Sequence, residues 1–272
     1  MTAVHFQDCL EKMFQSKLQE HLETFSGAAP QGELDLLARH DLYFETRAAN
    51  TPALINTVHA LRYQVYCLER KFEKTEEHAS GMEVDAFDNH SAHGLLIYRP
   101  TGEPMGTVRI ISPKNGSTQD DLPVIKLLRD NNIELGDYIP IERTVEVSRF
   151  AISKQLRRRI TDQFRSPGII APPSRLERER QGNLPCLSLL QFIVRESLAR
   201  GATHWAAVME VKLLRMFASM GIHLQAIGPI VLHHGLRQPC YGSVSVMLAS
   251  LKRDYYDYWY VVTNGGELTD EV

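Results

Sequence analysis

The sequence predicts an α/β protein, a mixed and mostly antiparallel sheet flanked by helices on both faces. Three observations carry this. Two β-rich runs, residues 92–98 and 105–112, are separated by a turn at 102–104 and read as a hairpin. Residues 144–153 (Thr-Val-Glu-Val-Ser-Arg-Phe-Ala-Ile-Ser) alternate β-branched and aromatic residues with others and read as a buried core strand. After them come a helix over 184–200 closed by Gly201, a strand over 204–209, a helix over 211–220 ended by Gly221, and strands over 223–227 and 241–251.

The remaining elements follow in order. Residues 4–24 form an amphipathic helix, with Phe6, Leu10, Met13, Phe14, Leu18 and Leu22 at helical spacing. It packs onto the domain, or serves as a membrane-surface or dimer helix. A proline- and glycine-bearing linker at 26–32 ends it. Residues 41–46 are a short strand. Thr51 then caps a helix with Pro52 at its first position and Leu54, Val58, Leu61, Val65 and Leu68 on its apolar side. Residues 69–82 are a charged loop, and 121–129 a short helix. Residues 154–183 are basic and irregular, carrying Arg157, Arg158 and Arg159. The aromatic run at 254–262 is a packing element, since aromatic burial dominates core energetics. The expected organisation is a helical extension (1–40), a main domain (41–252) and an aromatic tail (253–272).

Composition narrows the function classes. The chain has 272 residues and a formal net charge of -3, so no bulk charge points to nucleic acid or an acidic membrane. Cys9, Cys67, Cys186 and Cys240 are widely spaced without a CxxC pair, which fits reduced thiols in a cytoplasmic protein. Cys67 reads as a small buried hydrophobe. No apolar run reaches the roughly 20 residues of a membrane span, and no basic-then-apolar N-terminus marks a signal peptide.

The core strand is interrupted by Glu146, Ser148 and Arg149. Charges in a core strand are costly unless paired or used. Partners lie upstream: Arg62, sharing a helical face with Tyr66; the carboxylates Glu83, Asp85 and Asp88 around Phe87; and Arg109, inside a strand. Three carboxylates so close call for a cation, a metal or a basic partner, unless the loop is simply solvated. The glycine and terminal glutamate of a calcium-binding EF-hand loop are missing, so no metal is expected there. Adjacent His233 and His234 diverge in an extended chain and read as loop or partner contacts.

These residues fall into four ordered motifs: Arg62-x-x-x-Tyr66, Glu83-x-Asp85-x-Phe87-Asp88, Gly106-Thr107-x-Arg109 and Glu146-Val147-Ser148-Arg149-Phe150. In this the chain resembles the autoinducer-synthase branch of the GNAT acyltransferases. It is most similar there to the acyltransferases associated with exosortase (PEP-CTERM) systems and to the N-acyl amino acid synthases. The stretch from Gly228-Pro229 through His233-His234-Gly235-x-Arg237-Gln238-Pro239 resembles the exosortase-associated group.

The resemblance implies a GNAT fold with no bound cofactor. It also implies an acyl thioester donor (acyl carrier protein, or coenzyme A) and a small amine acceptor. By position it makes Arg62, Asp85, Asp88, Arg109 and Arg149 a charged cluster that orders the site, and Glu146 the base for the acceptor amine. Expected catalytic residues are Glu146, Arg149 and Arg109. Arg62, Tyr66, Glu83, Asp85, Phe87, Asp88, Ser148 and Phe150 are expected to bind substrate.

Two departures bear on the substrates. Phe72 is the only aromatic where the autoinducer synthases carry a tryptophan of the S-adenosylmethionine pocket, which weighs against that acceptor. After the core strand, Lys154-Gln155-Leu156-Arg157-Arg158-Arg159 lacks the glycines that let backbone amides cradle a diphosphate. Arg157, Arg158 and Arg159 instead suit docking of an acidic carrier protein. The expected function is N-acyl transfer from acyl carrier protein to an amino acid. The alternatives are an acyl-homoserine-lactone synthase using S-adenosylmethionine and a non-catalytic GNAT-like binding module.

Overall fold

The computed structural model of the protein describes residues 31–113, 122–133, 139–155, 175–232 and 235–269. The chain runs through α1 (Gln31–Tyr43), β1 (Phe44–Ala48), α2 (Pro52–Tyr63), β2 (Ser91–Tyr98), β3 (Glu103–Ile111), α3 (Pro123–Asp130) and β4 (Thr144–Ile152). It continues through α4 (Arg175–Ala199), β5 (His204–Glu210), α5 (Val211–Ser219), β6 (Gln225–Ala226), β7 (Val231–Leu232), β8 (Leu236–Ser243), α6 (Val244–Asp254) and α7 (Tyr256–Val262). One sheet joins the strands in the order β1-β2-β3-β4-β5-β8-β6, with β7 also on β8. Among the described residues only β4 and β5 pair in parallel; the other neighbours are antiparallel. The mixed, mostly antiparallel sheet is the one expected.

Local chemistry sets the elements that frame the site. Thr51 Oγ1 accepts the Leu54 N–H at 3.4 Å and Pro52 opens α2, as its sequence predicts. The helix runs into a π-helical turn, Gln64–Glu69. Gly102, at φ 72°, makes the β2–β3 turn in a left-handed conformation that suits glycine. On one face of the sheet, α4 covers the centre with Leu187, Leu190, Phe192 and Ile193. On the other face, α3 packs Leu122, Val124, Ile125 and Leu128 against Ile111 and Ala206, and α2 packs Val58 and Leu61 against Leu95.

Several boundaries differ from the sequence reading. Residues 31–43 are helical and β1 begins at Phe44, in place of the expected linker and earlier strand. Leu36 and Leu37 bury into the same core as Trp259 and Tyr260, so tertiary packing overrides the weak local signal. Helix α4 starts at Arg175 and carries Pro185 inside it, although the basic run before 184 reads as irregular. Residues 223–227 contribute only the two-residue β6.

The largest difference is at 241–251. There β8 ends at Ser243, whose Oγ accepts the Val246 N–H at 3.5 Å and caps α6. Val244, Met247, Leu248 and Leu251 are buried at i, i+3, i+4 and i+7, a helical period. The aromatic run is α7, with Tyr258, Trp259, Tyr260, Val261 and Val262 buried, so it is packing as expected. The amphipathic run at 4–24, Arg157, Arg158 and Arg159, and His233 and His234 lie outside the described residues.

Candidate active site

The site is built where β4 parts from both neighbours. Toward β3, Arg109 pairs with Ser148 but Thr107 pairs with Ala151, so β4 holds one extra residue. That bulge contains Arg149, at φ 51°. Toward β5, pairing covers Thr144, Val145 and Glu146, opposite His204, Trp205 and Ala206. Among the described residues no β4–β5 pair forms beyond Glu146 and Ala206, and the bulge at Arg149 lies just past that last pair. The bulge is made without a glycine.

The parting opens on two different environments. Val147, Trp205, Ala207, Phe217, Ile222 and Leu224 line a pocket on the α4 and α5 side, and all its lining residues are apolar. By the alternation of a strand, Glu146 and Ser148 point to the opposite face. That face carries the charged groups.

Arg62 from α2 is fully buried, as is Arg109 from β3 at 1% exposure. Arg62 donates to Glu83 and to Asp88, the latter at 2.6 Å. Arg109 donates from Nη1 to Asp85 at 2.6 Å and to Asp88 at 2.8 Å, and from Nε to Ser148 Oγ at 2.9 Å. Arg149 donates to Glu83 at 2.9 Å and Asp85 at 3.0 Å, and its guanidinium lies 5.5 Å from the Tyr66 ring centroid. Asp88 Oδ2 also accepts the Asp85 N–H at 2.8 Å, and Asp85 Oδ1 the Phe87 N–H at 2.9 Å.

Cations from α2, β3 and β4 thus meet the carboxylates of one loop. Burial pushes the Glu83 carboxyl up, but Arg62 and Arg149 together outweigh it and hold its pKa at about 2. Asp88 is likewise driven well below the usual carboxylate range by Arg62 and Arg109 against its burial. The convergence expected of Arg62, Glu83, Asp85, Asp88, Arg109 and Arg149 is what the structure shows. Arg62 is not a solvated surface charge.

Glu146 is the exception. The sequence points to partners among those charges, but its hydrogen bond comes from the backbone N–H of Val124, 2.7 Å away at the start of α3. The residue is 2% exposed, and the helix that holds it carries the apolar cluster of Leu122, Val124 and Ile125. Burial pushes its pKa up to about 7, against the lowering effects of the Val124 N–H, Arg109 and Arg149. Glu83 and Asp88 are therefore held as anions, while burial brings Glu146 to where it can exchange a proton near neutrality.

Other expected residues divide between the two faces. Tyr66 and Ser148 join the charged face. Phe87 packs at the edge of the α3 cluster. Phe150 meets Phe217 edge-on at 5.2 Å, on the apolar pocket side. Cys67 is buried and its thiol is pushed up to about 11 by burial, consistent with a packing role.

Sequence reasoning missed His59 and His93, both buried against Asp88 at 3.8 and 3.7 Å. The place of His59 three residues before Arg62 on α2 is the one signal that could have found it. Among the described residues these two and Asp88 form the one group whose ligand atoms approach a metal set, within 4.8 Å of one another. The donor chemistry does not fit a cation. Asp88 already accepts from two guanidiniums, and a dication would add charge to a balanced buried cluster beside Arg62 and Arg109.

Residues 61–165 match the acetyltransferase (GNAT) domain family. No protein of curated function matches the sequence. Among solved structures the chain is similar to the AHL synthase LasI, at 18% identity and a TM-score of 0.50, over 74% of this chain and 89% of that one. It is similar to TofI in a ternary complex with an inhibitor and MTA, at 20% identity and 0.51, over 79% and 99%. FeeM, an N-acyl amino acid synthase from uncultured soil microbes, aligns at 15% identity and 0.47, over 78% and 98%. Residues 61–165 thus resemble a GNAT acetyltransferase domain, and the chain is similar in fold to the AHL synthases LasI and TofI.

Proposed function

We propose that this protein is an N-acyltransferase moving a fatty acyl group from an acyl-carrier-protein thioester to the amine of a small acceptor, an amino acid. The observation that carries this is the parting of β4 from β5. It puts a buried carboxyl of pKa about 7 on one side of the sheet and an all-apolar pocket on the other. A fatty chain belongs on the apolar side, where the pocket, about 10 Å³ as it stands, has to widen to receive it; the amine belongs beside Glu146 and the thioester carbonyl in the gap between them.

In this mechanism the amine attacks the thioester carbon and forms the new C–N bond. Glu146 takes the proton that the nitrogen must lose. Backbone N–H groups of β4 that no longer pair with β5 hold the developing oxyanion. The C–S bond breaks, and the departing thiolate takes up a proton. Arg109, Arg149, Arg62 and the loop carboxylates hold β4, α2 and the 83–88 loop in register around the gap. Tyr66, Ser148, Phe87 and Phe150 border the two substrates. Arg157, Arg158 and Arg159 receive the carrier protein. The reaction belongs in the cytoplasm with that donor; no described helix is long and apolar enough to cross a membrane.

The second reading is an AHL synthase acting on S-adenosylmethionine, favoured by the fold shared with LasI and TofI. The test is to incubate the full chain with fatty-acyl carrier protein and either pooled amino acids or S-adenosylmethionine, and to detect product by mass spectrometry. An N-acyl amino acid supports the proposal. An acyl-homoserine lactone favours the second reading. No product from carrier-protein or coenzyme A thioesters leaves a binding module.

A further inference from the structure

The gap beside β4 is closed at one end and open at the other. Glu146 and Ala206 form the closing pair, and among the described residues β4 pairs only with β3 from Val147 onward. At about 3.3 Å per residue, Val147–Ile152 offers about 20 Å of edge on the β5 side. In the proposed reaction the acyl chain occupies the apolar face and the amine the charged face. The thiol arm of the donor is left with the third direction, along β4 to its end.

That end presents hydrogen-bond donors. β4 finishes at Ile152, Ser153 donates its N–H to the Met105 carbonyl at 2.9 Å, and the N–H groups of Lys154 and Gln155 follow. Both of these residues are exposed. Successive backbone N–H groups in a turn make a seat for an anion. Here the anion is the protein's own. Glu69 Oε1 accepts the Ser153 hydroxyl at 2.7 Å and Oε2 the Lys154 N–H at 2.8 Å, from 84 and 85 positions away in sequence. The Gln155 N–H bonds the same carboxylate.

Glu69 is held in place from its own side as well. It ends the π-helical turn, which Val65 and Cys67 anchor in the interior, and the Arg70 N–H bonds the Val65 carbonyl at 2.9 Å. Gln64 Nε2 donates to Oε1 at 3.4 Å. Burial pushes the Glu69 carboxyl up, but the donors from Lys154, Ser153, Gln64 and Gln155 outweigh it and hold it below the usual carboxylate range.

We propose that Glu69 selects the thioester donor: it fills the anion seat at the open end of the gap and turns away a thiol arm that ends in a diphosphate. This rests on the N-acyltransferase reading above. The diphosphate of a coenzyme A arm needs donors where the arm leaves the gap. It would find the Ser153 hydroxyl and the Lys154 and Gln155 N–H groups taken, and a like charge beside them. A carrier protein's arm ends in a single phosphodiester, and the carrier's own contacts hold it, so that arm does without the seat. Glu69 thus acts against the wrong donor more than for the right one.

The test gives the full chain three thioesters of one fatty acid: on carrier protein, on coenzyme A and on pantetheine, which has the arm and no phosphate. Wild type should show a KM for acyl-coenzyme A no lower than for acyl-pantetheine. Glu69→Gln keeps an oxygen for the Lys154 N–H and removes the charge. It should lower KM for acyl-coenzyme A about 10-fold, the order of one like-charge contact removed from a half-buried site. It should leave kcat, and KM for the other two thioesters, within about twofold of wild type. Glu69→Ala, which also frees the N–H groups, should lower the same KM further.

The wild-type comparison needs no variant and decides the matter if both fail to fold. A wild-type KM for acyl-coenzyme A well below that for acyl-pantetheine, or variants that shift both alike, overturn the assignment while the acyltransferase reading stands. If no thioester gives product, that reading falls, and melting temperatures with coenzyme A alone then decide the role of Glu69. A rise in Glu69→Gln with none in wild type upholds the blocked seat, and any other pattern overturns it.

Discussion

Replacing Glu146 by glutamine separates catalysis from stability in one variant. A buried carboxyl with a pKa of about 7 keeps its proton to a higher pH in the folded state than in the unfolded chain, where the ordinary value is 4.5. Below the unfolded value both states are protonated and the group is neutral to folding. As pH rises from there to about 7, the unfolded chain gains from ionising and the folded one does not, so stability falls. At about 1.4 kcal/mol per pKa unit, the accumulated cost is about 3 kcal/mol above neutrality.

The glutamine side chain never ionises, and its amide oxygen can still accept the Val124 N–H. The Glu146→Gln variant should match wild type near pH 4.5, the ordinary carboxyl value, and grow more stable than it with rising pH. It should gain about 3 kcal/mol by about pH 8, or several degrees in melting temperature for a chain of this size. Calorimetry across about pH 5 to 8 measures the gap. Acyl transfer should fall about 100-fold in the same variant. A gap that does not change with pH, or a glutamine variant less stable than wild type at about pH 8, refutes the account of Glu146 as a proton-exchanging buried carboxyl.

Arg62→Met should destabilise the fold by about 3–5 kcal/mol in urea unfolding, because it strands Glu83 and Asp88 in the interior. A smaller loss would mean the network relaxes to solvent. His93 is held down to about 4 by its burial and by Arg62 and Arg109, against Asp88. Its neutral form favours folding, so the urea midpoint should fall as pH drops from about 6.5 toward about 4, and His93→Gln should flatten that slope. Gly94→Ala would place a methyl carbon 2.6 Å from the Phe192 ring. It should cost about 1–3 kcal/mol, which a companion Phe192→Leu should partly restore.

The charged cluster is legible in the sequence because buried charges require partners, and few arrangements of Arg62, Arg109, Arg149 and the three loop carboxylates can satisfy that. For Glu146 the sequence points to the right strand and the wrong partner. A side chain that accepts from the backbone at the start of a helix 22 positions earlier leaves no trace in residue type. The bulge at Arg149 is not legible in the sequence, since no glycine marks its left-handed backbone.

His59 and His93 escape because a neutral buried histidine carries no local signature. The reading of 241–251 as one strand follows from Val244 and Val246, β-branched residues that favour sheets. Val244 is buried and Val246 is 67% exposed, so their burial follows a helical rather than a two-residue period. Glu69 is visible in the sequence, but nothing in a one-dimensional string brings the turn after α2 onto the end of β4.

Arg149 occupies a backbone conformation that costs a non-glycine residue about 1–3 kcal/mol, and its side chain is tied to Glu83 and Asp85, 66 and 64 positions away. The anchorage and the kink are therefore one object. A substitution in the acidic loop does not merely delete a charge; it releases the twist in β4 and lets the opening beside it narrow or shear. Under the proposed acyl transfer, preference for the length of the acyl chain should then respond to mutations at residues that never approach that chain, with the geometry of the aperture inherited from a distant loop.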